Sequence, residues 1–140
     1  GPLVSPDFFR DNLSEHYRRM SELLRGYGCN LLSVDCDGMI DVLLPLWLES
    51  GVNVMFPIEI GTWNPDFRKW RATYGPTLRG IGGMNKHVLS MDRAAVDREI
   101  DRLRPLIELG GFLPCPDHRL PPETDWELVR YYTDRMHAQF

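Results

Sequence analysis

The chain has 140 residues, which is the size of a single domain and enough to enclose a hydrophobic core. Apolar residues make up 43% of the chain and charged residues 26%, the balance of an ordinary soluble protein. The net charge of −4 argues against a nucleic-acid-binding surface, and no apolar run approaches the roughly 18 residues of a membrane span. We therefore expect no nucleic-acid partner and no membrane partner.

The cysteines indicate the compartment. Cys29, Cys36 and Cys115 are odd in number and widely spaced, which argues against a disulfide framework and favours a reducing environment. The first residues lack the basic-then-apolar order of a secretory signal. We expect a cytoplasmic protein in which Cys36 and Cys115 are small buried hydrophobic residues.

Helical and strand patterns alternate along the chain. The first helix is predicted from Ser5-Pro6-Asp7, where a hydroxyl cap precedes a proline at the first helical position, and it ends at Gly26 or Gly28. Its inward-facing residues are predicted to be Phe9, Leu13, Tyr17, Met20 and Leu24. The later elements are predicted in this order: strand 30–34, helix 40–48, strand 52–58, helix 64–74, strand 78–81, helix 92–107 with a bend at Pro105, strand 112–115, and a helix opened by the capping box Thr124-Asp125-Trp126-Glu127.

The alternation predicts an α/β fold with a parallel sheet. A strand is followed by a helix four times, and each crossover is long enough for a parallel connection. The strands are short and continuously apolar, as in sheets that are covered on both faces. A doubly wound sheet and a segment of a barrel both fit this order. We expect residues 1–140 to form one domain.

Polar residues follow each predicted strand. Asp35-Cys36-Asp37-Gly38 follows the first strand, Glu59 the second, Gly82-Gly83 begins the cluster after the third, and Asp117-His118-Arg119 follows the fourth. Because parallel strands end at one edge of the sheet, these groups are predicted to converge on one cavity. Simpler interpretations remain: helix capping by the aspartates, an ion pair at Glu59, and close helix–strand packing at the glycines.

The order of these pieces resembles the uroporphyrinogen decarboxylase family, which includes cobalamin-linked methyltransferases. The similar segments are Gly1-Pro2-Leu3-Val4-Ser5-Pro6, Val34-Asp35-Cys36-Asp37-Gly38, Gly80-Ile81-Gly82-Gly83-Met84-Asn85, and Gly110 to Pro122 followed by a capped, tyrosine-rich helix. The resemblance implies a (β/α)₈ TIM barrel, a fold of roughly 250 residues. This chain would supply its C-terminal half, with four βα units.

The resemblance also implies roles for the strand-end residues. His118 matches a histidine that contacts substrate in the decarboxylases, so we expect His118 and Asp35 to be catalytic. Asp37, Glu59, Asp117 and Arg119 are expected to bind a carboxylated tetrapyrrole or a related substrate. Asp35 departs from the small polar residue that the decarboxylases carry at its position.

Two other functions fit the same resemblance. In the methyltransferase branch, Asp35, Asp37 and His118 occupy the positions of zinc ligands and could hold a divalent metal for cobalamin or thiol methyl transfer, although the family's thiolates are missing. Alternatively, the chain is inactive alone, because half a barrel has two unpaired strand edges. We then expect a homodimer or a complementary half-barrel partner.

Overall fold

The computed structural model describes residues 2–140, so Gly1 of the first family-like segment lies outside the described residues. The chain has an α/β fold with a four-stranded, fully parallel sheet. The strands are β1 (Ser33–Asp35), β2 (Val54–Ile58), β3 (Arg79–Met84) and β4 (Phe112–Pro116), and their spatial order is their order in the sequence. The predicted fold class is confirmed at this level.

Helices connect the strands and flank the sheet. They are α1 (Pro6–Asn12), α2 (Ser14–Gly26), α3 (Leu44–Glu49), α4 (Phe67–Tyr74), α5 (Arg93–Glu108) and α6 (Trp126–Gln139), with a 3₁₀ helix over Lys86–Ser90. Pro105 lies inside α5, which continues past it to Glu108. Among residues 2–140, no helix has the length and apolarity to cross a membrane.

The single helix predicted at the start of the chain is in fact two helices. Ser5 caps α1 as predicted, accepting the Phe8 N–H at 3.1 Å. The break falls at Leu13, whose φ of −115° departs from the usual helical value of about −63°, although the Leu13 N–H still donates to Phe9 O at 2.8 Å. The predicted inward stripe is wrong at its end, since Met20 and Leu24 are exposed.

Small residues determine which face of α2 is buried. Ser14 and Ser21 are buried instead of the large apolar residues. A Cβ atom added at Gly51 would lie 2.5 Å from Ser21 Cβ. Helix α2 and the segment after α3 can therefore approach closely only because both residues are small. The hydrophobic periodicity of the sequence therefore predicted the wrong buried face for α2.

Side-chain hydrogen bonds shift other predicted boundaries. The Asn53 side chain accepts the Leu32 N–H and donates to Asn30 O, both at 2.9 Å, so a side-chain amide takes the place of a backbone partner for that N–H and β1 begins only at Ser33. Asp125, and not Thr124, caps α6 by accepting the Glu127 N–H at 2.8 Å. The predicted capping box is corrected accordingly.

The sheet is buried on one face and open on the other. Met55 and Ile58 of β2 are almost fully buried, and Phe112 of β4 packs on Phe67 of α4 with ring centroids 5.1 Å apart. On the opposite face Leu113 is 61% exposed. This uncovered face runs up to the carboxyl ends of the strands, where the polar residues lie.

Candidate functional site

The carboxyl ends of the strands enclose a cleft of about 480 Å³, here called the mouth cleft. It contains four of the six predicted site residues. Its lining consists of Asp35, Asp37, Phe56, Pro57, Cys115, Pro116, His118, Arg119 and Leu120. The apolar members were missed by the sequence reasoning. Strand alternation could have indicated Phe56, because its neighbour Met55 is buried on the other face.

The acidic wall of the mouth cleft comes from the end of β1. The Cys36 N–H donates to Phe56 O at 2.8 Å, which continues the β1–β2 pairing past Asp35. Gly38 then turns the chain with a φ of 85°, a conformation that glycine adopts without strain. Asp35 and Asp37 on either side of Cys36 are both left exposed to the cleft.

The opposite wall is formed by His118 and Arg119 after β4. His118 Nε2 lies 4.0 Å from Asp37 Oδ1, so the loops after the two edge strands approach each other across the cleft. His118 Nδ1 accepts the Arg119 backbone N–H at 2.8 Å. A neutral imidazole that accepts at Nδ1 carries its proton on Nε2. His118 therefore presents an N–H donor to the cleft.

Glu59 and Asp117 lie beneath the mouth cleft and do not line it. Glu59 is 5% exposed, and its Oε2 accepts the Gly38 N–H at 2.5 Å. Asp117 is 1% exposed, and it accepts the Gly61 N–H at 2.6 Å and the Lys86 N–H at 3.3 Å. A buried carboxylate must be hydrogen-bonded. Backbone amides of two other loops bond to Asp117, whereas one such amide and a threonine hydroxyl of its own loop bond to Glu59. Both are predicted to bind substrate, and the structure places them beneath the mouth cleft, where each links neighbouring loops.

The two cysteines near the mouth cleft are held in the thiol form. Burial, followed by the charges of Asp37, Asp35 and Glu59, raises the pKa of Cys36 above its usual value. Burial is also the largest cause of the raised pKa of Cys115, with a smaller contribution from Asp117. Because the thiolate is the reactive form, these environments suppress nucleophilic chemistry.

The predicted metal ligands are brought only partly together. Among residues 2–140, no group of three or more histidine, cysteine, aspartate or glutamate side chains is arranged to hold a metal ion. His118 approaches Asp37, but its Nε2 carries the proton, whereas a metal ligand needs a free lone pair there and a partner that accepts from Nδ1–H. A divalent ion held by Asp35, Asp37 and His118 would require the proton of His118 to move to Nδ1 and the three side chains to come closer together.

No protein-family model matches the chain, and no curated protein matches it significantly.

Proposed function

We propose that the chain is the C-terminal half of a uroporphyrinogen decarboxylase-like enzyme and forms one part of its substrate pocket. The strand order supports a barrel segment. Parallel strands that follow one another in sequence order are the arrangement of a (β/α)₈ barrel, whereas a doubly wound sheet reverses its order at a switch point. The open sheet face would then be part of the barrel interior, with Leu113 inside it.

The N–H donor at His118 Nε2 is the main observation that supports a carboxylated substrate. A carboxylate bound in the mouth cleft can accept from Nε2–H and from the Arg119 guanidinium. On the other wall, Asp35 and Asp37 can accept from N–H groups such as those of a pyrrole. A carboxylated tetrapyrrole or a related compound offers both kinds of group, and Phe56 provides an apolar surface for its ring.

The same geometry suggests how decarboxylation would be assisted. Loss of carbon dioxide leaves an electron pair on the carbon that carried the carboxylate, and this carbon then takes up a proton. His118 Nε2–H can orient the carboxylate beforehand. Once the ring has taken up a second proton at Nδ1, the imidazolium can supply the proton from Nε2 and return to the neutral form. Asp35 can accept a hydrogen bond from a pyrrole N–H and so stabilise positive charge that develops on that ring.

The test is a decarboxylation assay with the chain supplied with a first half-barrel of the family. We expect carbon dioxide release from a carboxylated tetrapyrrole, and a loss of about 100-fold or more in His118→Ala, the usual contribution of a general acid. Asp35→Asn is expected to lower kcat, whereas the exposed Asp101→Asn on α5 serves as a control. Full activity in the combined Asp35→Asn and His118→Ala variant would refute the proposed roles.

A second candidate is the metal-dependent cobalamin or thiol methyltransferase. The observation in its favour is the 4.0 Å approach of His118 to Asp37, which brings two of the three expected ligands together. Purified protein should then contain a stoichiometric divalent metal such as zinc, and Asp35→Ala and His118→Ala should lose it. Metal below a tenth of an equivalent in protein prepared with added zinc would count against this candidate.

A third candidate is a chain that is inactive without a partner. Leu31 and Leu113 are 60% and 61% exposed, and a homodimer or a complementary half-barrel would cover them. Light scattering after size-exclusion chromatography should show a dimer that Leu113→Gln weakens, while Leu109→Gln at the end of α5 does not. A compact monomer at micromolar concentration would exclude the homodimer.

A further inference from the structure

Asp117 is the most completely buried carboxylate of the described chain, and the proposed chemistry does not use it. Its exposure is 1%, compared with 5% for Glu59 and 7% for Glu99. Isolated carboxylates are costly to bury, so the structure must offset that cost with hydrogen bonds to the charged group. The bonds that Asp117 makes all lead to neighbouring strands and loops of the mouth cleft.

Three backbone segments meet at this residue. Oδ2 accepts from Gly61 in the loop after β2, and Oδ1 accepts from Lys86 in the 3₁₀ helix after β3. The Asp117 N–H donates to Met84 O at 2.8 Å, which extends the β3–β4 pairing by one residue. One side chain therefore ties the loops after β2 and β3 to the end of β4.

The loop after β2 depends on Asp117 more than the segment after β3 does. The bond to Gly61 is short at 2.6 Å, whereas the bond to Lys86 is 3.3 Å long. The segment after β3 has another attachment, because the Asn85 N–H donates to Glu99 Oε1 at 2.7 Å. A Cβ atom at position 61 would lie 3.2 Å from Asp117 Oδ2 and 3.1 Å from the nearest ring atom of a histidine in the 3₁₀ helix, so glycine there permits the close approach.

We propose that Asp117 is a positioning residue, whose bond to Gly61 holds the end of β4 so that the next residue, His118, presents Nε2–H to the mouth cleft. The functional value of this orientation rests on the proposed function. The orientation of His118 does not depend on the proposed function, because it follows from the hydrogen bonds of residues 117–119 and can be measured without any substrate.

The test is nuclear magnetic resonance of the 140-residue chain, reading the Gly61 amide and the tautomer of His118. Asn at position 117 has one acceptor oxygen, so Asp117→Asn must leave one amide facing an NH₂ group. We expect the Gly61 amide proton to move upfield and to exchange about tenfold faster or more, as loss of a charge-assisted hydrogen bond implies. We also expect the share of Nδ1–H tautomer at His118 to rise.

Glu59→Gln is the matched control, because it neutralises a buried carboxylate that bonds to Gly38 and Thr62 and not to the end of β4. It should move the Gly38 amide and leave the His118 tautomer unchanged. If Asp117→Asn does not fold, Gly61→Ala disturbs the same contact from the other side and should change His118 in the same way. An unchanged His118 tautomer in whichever of these variants folds, or an equal change in Glu59→Gln, would overturn the proposal. If neither variant folds, a Gly61 amide in the wild-type protein that exchanges as fast as an unbonded amide would overturn it.

Discussion

Gly80→Ala should destabilise the chain, because β3 has no room for a side chain at this position. Gly80 is buried in the sheet, and its φ is outside the left-handed region, so alanine introduces no backbone strain. The added Cβ would lie 2.2 Å from Ile58 Cδ1 and 2.7 Å from Phe67 Cε2. The Ile58 methyl can rotate, but the Phe67 ring is itself packed against Phe112. Relief therefore requires a shift of α4 or of β3.

The expected loss is about 1 to 3 kcal/mol of unfolding free energy, the usual cost of an extra carbon in a well-packed core. For a domain of this size, that loss corresponds to a fall in Tm of roughly 3 to 12 °C. Urea denaturation followed by circular dichroism would measure the free energy, and the slope m should not change.

Gly26→Ala at the end of α2 is the matched control for the same chemical change. A Cβ atom there meets nothing within 4 Å, so we expect unchanged stability or a gain of up to about 1 kcal/mol. If Gly80→Ala is as stable as Gly26→Ala, β3 does not pack against Ile58 and Phe67, and the arrangement of the sheet on α4 is wrong.

Two further predictions concern ionisable groups. Burial raises the pKa of Tyr132, and its hydroxyl finds no hydrogen-bond partner among residues 2–140. Because the folded state favours the protonated hydroxyl, ionisation of Tyr132 does not reduce the unfolding free energy below the unfolded pKa of about 10, and it reduces that free energy as the pH rises above this value. Tyr132→Phe should be at least as stable as wild type at neutral pH and lose less stability in alkali, whereas the exposed Tyr27→Phe should follow wild type. For Cys36, Asp37→Asn should lower the thiol pKa and speed its alkylation at a pH of about 8, as read by peptide mass spectrometry. The control Asp101→Asn should not change the alkylation rate of Cys36. An unchanged rate in Asp37→Asn would contradict the acidic environment assigned to this thiol.

Elements with strong local signals were predictable from the sequence. Asp92 caps α5 as predicted, accepting the Ala95 N–H at 2.7 Å, because the capping bond lies within one turn of the chain. The parallel order of the strands followed from the length of the crossovers. The convergence of Asp35, Asp37, His118 and Arg119 followed in turn, since parallel strands end at the same edge.

Contacts between segments distant in sequence were not predictable. The amide of Asn53 shortens β1 from 21 residues away, and no local pattern marks it. Asp117 bonds to Gly61 across 56 residues, so a residue that resembles an exposed loop acid became the most buried carboxylate of the described chain. For the same reason, the burial of Ser21 against Gly51 contradicted the apolar periodicity of α2.

The sequence by itself determined the α/β class, the parallel direction of the strands and the set of polar residues at their carboxyl ends. These properties depend on hydrophobic period, capping and crossover length, each of which acts within a few turns of the chain. Only the tertiary structure decided which of those polar residues face the mouth cleft and which are buried beneath it. That division depends on which backbone amides still lack a hydrogen-bond partner when distant loops come together, because a buried carboxylate can accept from those amides.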